Sequence, residues 1–404
     1  MTHKNKFGMF IHWGIYALTE AQDQAIIRNN MPRQEYEALQ HQFNPVDYDP
    51  ESWVLLAKQA GMKYICFTTK HHDGFCMWDT KYSDYSIMHT PYGKDVLKLL
   101  AEACRKHGML LSLYYSNPDW HHPQGYNPAS SHQWMAVNKD APDFETYKTY
   151  IKNQITELLT NYGKIYTLFW DIPPRVEDRS LNAYVRQLQP GIYINNRGFD
   201  EGDFSTPERD YKTDADHSEN RFPKMVEACN AIGVHSWGYR KMEDFYSYRY
   251  LMSAICKTMA KGGSYLLNIG PKADGTLDPV HARRIARIGQ WYTRMEGCLE
   301  EHEDDEFDYR PYKSGDCIVT RKNGKTYFHF YNSTISTTVT LANYPGLPKS
   351  VRLLNTNQQL PCAIETLPNY FNGVSGIAEH KYLHIWDIPV DELPEEPIVL
   401  EVTW

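Results

Sequence analysis

The chain has 404 residues, of which 42% are hydrophobic, and its formal net charge is −8. The length suits one large domain plus a smaller one, and the composition is typical of a soluble globular protein. The negative charge argues against nucleic acid or an anionic membrane as the main partner, because both require a basic face. Aromatic residues make up 14% of the chain, which suits a large aromatic core or a site where flat rings cover sugars.

The eight cysteines include no CxxC pair, so a structural zinc framework is not indicated. Cys66, Cys104 and Cys256 lie in apolar runs and are predicted to be small core residues. The N-terminus, MTHKNKFGMFIHWG, has no basic-then-apolar leader pattern, and no run approaches the length of a membrane span. We therefore expect a reduced, cytoplasmic protein, unless a targeting segment has been removed upstream of Met1.

Short apolar runs alternate with helical patterns over the first 300 residues or so. Phe7–Trp13 is predicted to be a strand, and Asp49 is predicted to cap a helix that ends at Gly61. Further strands are predicted over Tyr64–Thr69, Leu110–Ser116, Ile165–Asp171, Ile192–Arg197 and Ser264–Ile269. Further helices are predicted over about Lys94–His107, Phe144–Tyr162, Asp178–Leu188, Glu243–Ala260 and Asp278–Met295.

Apolar strands separated by helices indicate parallel pairing with both faces of the sheet covered. Their repetition favours a closed, TIM-like (β/α) barrel that need not be regular, and any strands within Gly202–Trp237 must be short or irregular. After about Asp304 the pattern changes to short β segments with Gly, Pro and Asn between them. We predict a catalytic barrel over residues 1–304 and a C-terminal β-sandwich over residues 305–404. The strands predicted for this sandwich are Ile318–Arg321, Thr326–Tyr331, Thr337–Leu341, Val351–Leu354 and Tyr382–Ile388.

In such a barrel the active site lies at the carboxyl ends of the strands. Polar or aromatic residues that end apolar runs, or lie in the irregular stretch, are therefore candidates for the site. They are His12, His71, His72, Asp73, Tyr114, Asp171, Arg197, Glu208, Trp237 and Asn268.

Several candidates have structural alternatives. Asp171 could cap the next helix, although Pro173-Pro174 delays any helix there. His71, His72 and Asp73 could bind a metal ion, but adjacent side chains at a strand end point in opposite directions and rarely share one ion. A core histidine at His12, a structural ion pair at Arg197 and a core tryptophan at Trp237 remain open as well.

Paired carboxylates without a metal-binding or nucleotide-binding motif favour glycoside hydrolysis. One carboxylate attacks the anomeric carbon, and the other protonates the leaving oxygen and then activates water. Histidines and an arginine around a small cavity can bind sugar hydroxyls, and an aromatic face can pack against an apolar edge of the sugar.

At these residues the chain resembles glycoside hydrolase family 29, the retaining α-L-fucosidases. The similarity covers about Phe7–Leu277 in the order of the family's motifs. The matching segments are FGMFIHWGIYAL, GMKYICFTTKHHDGFCMWDTKYSDYS, LYYS followed by DWH, NYGKIYTLFWD, NNRGFDEGDFSTPE, SWGY and GGSYLLNIGPKADGTL. KHHDGF and LLNIGPKADG are the most specific of them.

The resemblance implies a barrel followed by a β-sandwich, a fucosylated oligosaccharide as substrate, and no metal or organic cofactor. It implies Asp171 as the nucleophile and Glu208 as the acid/base. The positions that would hold the fucose are His12, His71, His72, Tyr114, Arg197 and Trp237. The Thr206-Pro207-Glu208 arrangement is similar to that of the subgroup that prefers α-1,3/4-linked fucose.

One departure concerns the loop after the first strand. Many members carry a Glu-Trp pair there, with the Glu touching the sugar, whereas this chain has Asp23-Gln24. That difference motivates an alternative, a fucose-binding protein that has lost catalysis. A metal-dependent barrel hydrolase that uses His71, His72 and Asp73 is the third hypothesis.

Overall fold

The centre of the computed structural model is a sheet of seven parallel strands. The structure describes residues 6–125, 132, 135, 137, 140–141, 143–172, 178–209, 221–295, 297–366 and 381–404. In chain order the strands are β1 (Phe7–Ile11), β2 (Tyr64–Lys70), β3 (Leu110–Ser116), β4 (Ile165–Asp171), β5 (Tyr193–Ile194), β6 (Glu227–Ala231) and β7 (Ser264–Ile269). Across the sheet they lie in the order β5-β4-β3-β2-β1-β7-β6.

A two-residue segment closes this sheet into a ring. Phe204 pairs in parallel with Asn195, just after β5, and Ser205 pairs in parallel with Val226, just before β6. The segment therefore takes the eighth strand position of the barrel. The predicted (β/α) barrel is confirmed, and the strands within Gly202–Trp237 are short, as expected.

Helices cover the outside of the ring. In the described residues, the connection after β1 contains two short α-helices, α1 (Ala25–Arg28) and α2 (Arg33–Glu37), and two 3-10 helices, Ile15–Thr19 and Ala38–His41. The described part of the chain also contains six longer α-helices: α3 (Pro50–Gln59), α4 (Val96–His107), α5 (Phe144–Asn161), α6 (Arg179–Leu188), α7 (Tyr248–Ala260) and α8 (Pro279–Arg294). One of the helices α4 to α8 follows each of β2, β3, β4, β6 and β7, so both faces of these strands are largely buried.

Capping residues decide where these helices begin. The predicted start of α3 is confirmed, because the Asp49 side chain accepts hydrogen bonds from two backbone N–H groups of the first turn. The predicted start of α7 at Glu243 is wrong. That helix begins at Tyr248, because the Ser247 side chain caps it by accepting the N–H of Tyr250. The Glu243 carboxylate instead accepts hydrogen bonds from two N–H groups of the preceding loop.

Two strands are shorter than predicted, because side chains replace the backbone ladder at their ends. Phe7–Trp13 pairs as a strand only as far as Ile11, and the N–H of Trp13 donates to a threonine hydroxyl. Ile192–Arg197 is reduced to β5, because the side chain of Asn195 hydrogen bonds to the backbone of β4.

The C-terminal part forms two antiparallel sheets. One contains β8 (Glu303–Asp304), β9 (Ile318–Lys322), β10 (Lys325–Phe330), β12 (Ser350–Leu353), β13 (Gln358–Gln359) and β16 (Ile398–Thr403), and the other contains β11 (Val339–Leu341), β14 (Cys362–Thr366) and β15 (Lys381–Ile385). Phe328 of β10, Leu383 of β15 and Leu400 of β16 share one buried cluster, so the sheets pack face to face. The predicted sandwich is confirmed.

The larger sheet also contacts the barrel. Tyr327 and Val399 alternate in direction with Phe328 and Leu400, and they belong to the hydrophobic core that includes the barrel helices. One face of this sheet therefore covers the flank of the barrel. The predicted domain boundary after residue 304 stays a prediction, although β8 already pairs with β9.

The cysteines predicted for the core are buried, and none of Cys66, Cys104 and Cys256 forms a disulfide. Burial raises the pKa of the Cys104 thiol to about 12, so this thiol is inert. Among the described residues, no helix is both long enough and apolar enough to cross a membrane.

A buried carboxyl group lies inside the barrel at the start of β6. The Tyr64 hydroxyl donates a 2.6 Å hydrogen bond to Glu227 Oε2, and Glu227 Oε1 has no hydrogen-bond partner among the described residues. Burial raises the pKa of Glu227 to about 7. The neutral acid is therefore the favoured form at this position in acidic solution.

We expect Glu227 to make the folded state less stable as pH rises. Between pH 4.5 and 7 the folded chain keeps a proton that the unfolded chain has released, so stability falls through this window and levels off above about pH 7. The loss should reach about 3 kcal/mol. Urea unfolding at several pH values should show that Glu227→Gln reduces this slope. Glu102→Gln, on the exposed face of α4, is the control; an unchanged slope in Glu227→Gln would contradict the prediction.

Candidate active site

A cavity of about 140 Å³ lies at the carboxyl ends of the barrel strands. All eight residues to which the sequence assigned a catalytic or sugar-binding role line it: His12, His71, His72, Tyr114, Asp171, Arg197, Glu208 and Trp237. Asp23 and Gln24, the pair in the loop after β1, line it as well. The parallel strands bring these residues together, although they are spread over more than 200 positions of the chain.

Asp171 is the last residue of β4 and lies on the floor of the cavity. Its Oδ2 accepts a 2.6 Å hydrogen bond from the Tyr114 hydroxyl, and its Oδ1 lies 3.1 Å from Arg197 Nη1. Burial by itself would raise the pKa of Asp171, but the charge of Arg197 and the hydrogen bond from the Tyr114 hydroxyl outweigh it and hold the pKa well below its usual range. Asp171 is therefore a buried, ionised carboxylate.

The alternative role of Asp171 as a helix cap is wrong. The helix that follows, α6, is capped by Asp178, whose side chain accepts a hydrogen bond from the N–H of Ser180. Pro173 and Pro174 lie outside the described residues.

Arg197 joins the two candidate catalytic carboxylates. Its Nη1 lies 3.1 Å from Asp171 Oδ1 and 2.9 Å from Glu208 Oε2. Because both oxygens contact the same nitrogen, they are at most 6.0 Å apart. Burial lowers the pKa of Arg197, but Asp171 and Glu208 more than compensate for this effect and raise it above its usual range. The guanidinium therefore stays charged between the two acids.

Glu208 approaches the cavity from its rim. It follows the short closing segment of the barrel and pairs in parallel with Cys229 of β6. Its side chain is 37% exposed, against 11% for Asp171. Asp171 is thus buried at the base of the cavity, whereas Glu208 is open to solvent at its rim.

His12 is neutral, and its tautomer is determined by Asn268. Burial, helped by His71, lowers the pKa of His12 to about 3. Asn268 donates through Nδ2 to the carbonyl of Trp237, so its Oδ1 faces His12 Nδ1 at 2.7 Å. A carbonyl oxygen only accepts, so Nδ1 of His12 carries the proton and Nε2 is left as an acceptor.

His72 is oriented in a similar way. The Ser116 hydroxyl donates to the carbonyl of Pro118, so His72 Nδ1 donates to Ser116 Oγ across 2.6 Å. Burial lowers the pKa of His72 well below its usual value. Its unprotonated Nε2 then lies 3.7 Å from Asp171 Oδ2, where two acceptors face each other. A sugar hydroxyl beside them could donate its proton to one of these two acceptors.

His71 lacks such partners within the described residues. It is buried, its Nδ1 has no hydrogen-bond partner, and its Nε2 lies 4.0 Å from Asp23 Oδ2, too far for a hydrogen bond. A buried imidazole without partners is costly unless a ligand completes its hydrogen bonds.

The predicted opposite directions of the two adjacent histidines are wrong. The rings of His71 and His72 are 4.3 Å apart, and both line the cavity. The reason is that β2 ends at Lys70, so strand alternation no longer applies to them. Asp73 is directed elsewhere, because it accepts a 2.7 Å hydrogen bond from Tyr36. No group of three ligating side chains within the described part of the chain could hold a metal ion.

The family of this chain follows from its similarity to known proteins. The family model described as α-L-fucosidase matches residues 2–296, well over half of the chain. The chain belongs to the α-L-fucosidase family. The resemblance to glycoside hydrolase family 29 is thereby confirmed.

Individual α-L-fucosidases agree with this assignment. The tissue α-L-fucosidase of Macaca fascicularis is 28% identical over 324 residues, 71% of this chain. The chain spans 65% of the length of that relative. The solved α-L-fucosidase isoenzyme 1 from Paenibacillus thiaminolyticus is 31% identical, with a TM-score of 0.82 over 99% of this chain and 97% of that one. The α-L-fucosidase from Vibrio sp. strain EJY3 shares the fold, with a TM-score of 0.84 at 24% identity over 99% of this chain and 72% of that one.

Five further residues that line the cavity of this α-L-fucosidase family member were not predicted from the sequence: Phe10, His132, Phe169, Ile172 and Cys229. Two of them had a usable signal. Phe10 and Phe169 precede a strand-end candidate by two positions, so the period of a strand directs them to the same face. Cys229 lies on β6, which was not recognised as a strand, and His132 belongs to no motif.

Proposed function

We propose that this chain is a retaining exo-glycosidase that releases terminal α-L-fucose from fucosylated oligosaccharides. The observation that carries the proposal is the pair of carboxylates, Asp171 and Glu208, whose Arg197-bound oxygens are at most 6.0 Å apart. Retaining glycosidases hold their two carboxyl groups about 5–5.5 Å apart, whereas inverting enzymes need about 6.5–9.5 Å to admit a water molecule. The spacing favours double displacement through a covalent fucosyl-enzyme.

The environments of the two carboxylates suit different roles. Asp171 is ionised and buried beneath the sugar position, so it is our nucleophile. Glu208 lies at the rim, where it can protonate the leaving oxygen and later take a proton from water, so it is our acid/base. Arg197 and the Tyr114 hydroxyl hold the nucleophile in place through its two oxygens.

The remaining polar groups suit a single sugar. His12 and His72 offer Nε2 acceptors to hydroxyl groups, and buried His71 has hydrogen-bonding capacity that the protein does not use. The Trp237 ring offers an apolar face beside them. Pockets for drug-sized ligands measure about 300–1,000 Å³, so a cavity of about 140 Å³ suits a single sugar residue and favours removal of one terminal residue.

The stereochemistry of the first product tests this proposal. Proton NMR during hydrolysis of an aryl α-L-fucoside should show α-L-fucose first, followed by slow mutarotation to the β anomer. Initial release of β-L-fucose would contradict retention. Binding of L-fucose without any turnover would support the non-catalytic alternative instead, and activity that a chelator abolishes would support the metal-dependent one.

We further propose a preference for α-1,3/4-linked fucose, which rests on the Thr206-Pro207-Glu208 arrangement. Product release should be measured on matched oligosaccharides with α-1,2, α-1,3, α-1,4 and α-1,6 linkages. The α-1,3 and α-1,4 substrates should have the highest kcat/KM. Faster release from the α-1,2 or α-1,6 substrate would contradict the linkage preference but not the reaction.

A further inference from the structure

Asp23 is the third carboxylate of the cavity and is buried, as Asp171 is. Most of its hydrogen bonds go to one loop. It lies two residues before α1, and its Oδ1 accepts hydrogen bonds from the N–H of Trp237 at 2.9 Å and of Gly238 at 3.4 Å. The hydroxyl of Ser236 donates to the same oxygen at 3.2 Å. A carboxylate that accepts several donors from consecutive residues holds that segment in one position.

The segment that Asp23 holds carries Trp237, which forms one wall of the cavity. The Trp237 ring stacks on His12 at 5.2 Å, and the guanidinium of Arg209 lies over the ring at 4.5 Å. Trp237 lies in the connection between β6 and α7, outside any strand or helix. Its backbone N–H donates a hydrogen bond to Asp23, and its carbonyl accepts one from Asn268. The position of the indole therefore depends on these two side chains.

The loop also has little freedom to compensate for a lost contact. A Cβ atom added to Gly238 would lie 2.8 Å from the ring of Tyr16. Asp23 itself is only 4% exposed, so water cannot easily replace its carboxylate. Its second oxygen, Oδ2, lies 4.0 Å from His71 Nε2, beyond hydrogen-bond distance. Asp23 is thus coupled more closely to the loop than to the histidines.

We propose that Asp23 is a positioning residue that holds the Trp237 wall against the sugar, and that it therefore controls the affinity for the fucosyl group more than the rate of bond cleavage. This inference rests on the proposed function, which supplies its substrate, an α-L-fucoside. A short carboxylate suits position 23 because its oxygen accepts the backbone N–H groups of the loop and does not need to reach the sugar.

Two substitutions at Asp23 separate this role from its alternatives. Asp23→Asn keeps an oxygen acceptor for the loop but removes the charge, whereas Asp23→Ala removes both. On an aryl α-L-fucoside, Asp23→Ala should raise KM by about 10-fold with kcat changed less than about 3-fold, and Asp23→Asn should raise KM by no more than about 3-fold. Ser236→Ala, which deletes only the longer hydroxyl contact, is the matched control and should have a small effect on KM.

A double-mutant cycle then asks whether Asp23 acts through Trp237. In a Trp237→Ala background, adding Asp23→Ala should raise KM no further. Equal KM increases for Asp23→Asn and Asp23→Ala, or additive effects in the cycle, would overturn the proposal, because they would indicate a charge effect or direct sugar contact. If Asp23→Ala does not fold, Asp23→Leu supplies a side chain of similar length without an acceptor.

Calorimetric titration with L-fucose keeps this test separate from the proposed function. The dissociation constant for L-fucose should follow the same pattern as KM across the variants. A wild-type chain that binds L-fucose but hydrolyses no fucoside would overturn the proposed reaction. The role of Asp23 would still be tested by the dissociation constants of its variants. An unchanged dissociation constant in a folded Asp23→Ala variant would overturn the role of Asp23 alone.

Discussion

Asp171→Asn should lower kcat for an aryl α-L-fucoside by about 1,000-fold or more, with little change in fold or in affinity for L-fucose. The amide has nearly the shape of the carboxylate but is a very poor nucleophile, so the fucosyl-enzyme cannot form. The loss should be similar for good and poor leaving groups, because the nucleophile is needed in every case. Steady-state kinetics with two aryl fucosides measures both effects.

Asp73→Asn is the matched control for this variant. Asp73 is also a buried carboxylate at the same end of the barrel, but it binds the hydroxyl of Tyr36 and does not line the cavity. Its substitution should lower the melting temperature more than the turnover. Asp171→Asn with near-normal turnover in a folded protein would remove Asp171 from the role of nucleophile.

Glu208→Ala should produce a loss that depends on the leaving group. A poor leaving group, such as the sugar of an oligosaccharide, needs a proton from the acid, so its kcat/KM should fall by about 10²–10⁴-fold. An activated aryl fucoside departs without that proton, so its first step should change much less. Added azide should restore part of the activity, because it attacks the fucosyl-enzyme without general-base help.

The control for Glu208→Ala is Glu35→Ala on the exposed surface of α2, which should affect both substrates equally little. A Glu208→Ala variant that loses the same factor on both substrates and does not respond to azide would exclude Glu208 as the acid/base. Its contact with Arg197 would then be structural.

The fold was largely predictable where the hydrophobic pattern of a segment matches the burial of that segment in the folded chain. Strands β2, β3, β4 and β7 are apolar, buried on both faces and bounded by helices, so their sequences already describe a parallel barrel. Strand β6, Glu227–Ala231, was missed because it contains Glu and Asn and only small apolar residues. All five of its residues are nevertheless buried, since the neighbouring strands surround it.

The candidate site was predictable to the extent that strand ends can be read from the chain. Parallel strands place their carboxyl ends together, so residues at the ends of the predicted strands line the cavity. Tautomers and ion pairs were not predictable in this way. The proton on His12 depends on Asn268, 256 residues away, and the carboxylate spacing depends on how Arg197 bridges β4 and the closing segment.

The sequence by itself determined the barrel, the sandwich and the identity of the eight candidate residues, because hydrophobic period, caps and motif order are local properties. Only the tertiary structure decided how these residues are charged and oriented, because pKa values and hydrogen bonds depend on groups that are distant in the chain. Asp23 illustrates the difference. In the sequence it is one departure from a family pattern, whereas in the folded chain it accepts the N–H groups of Trp237 and Gly238.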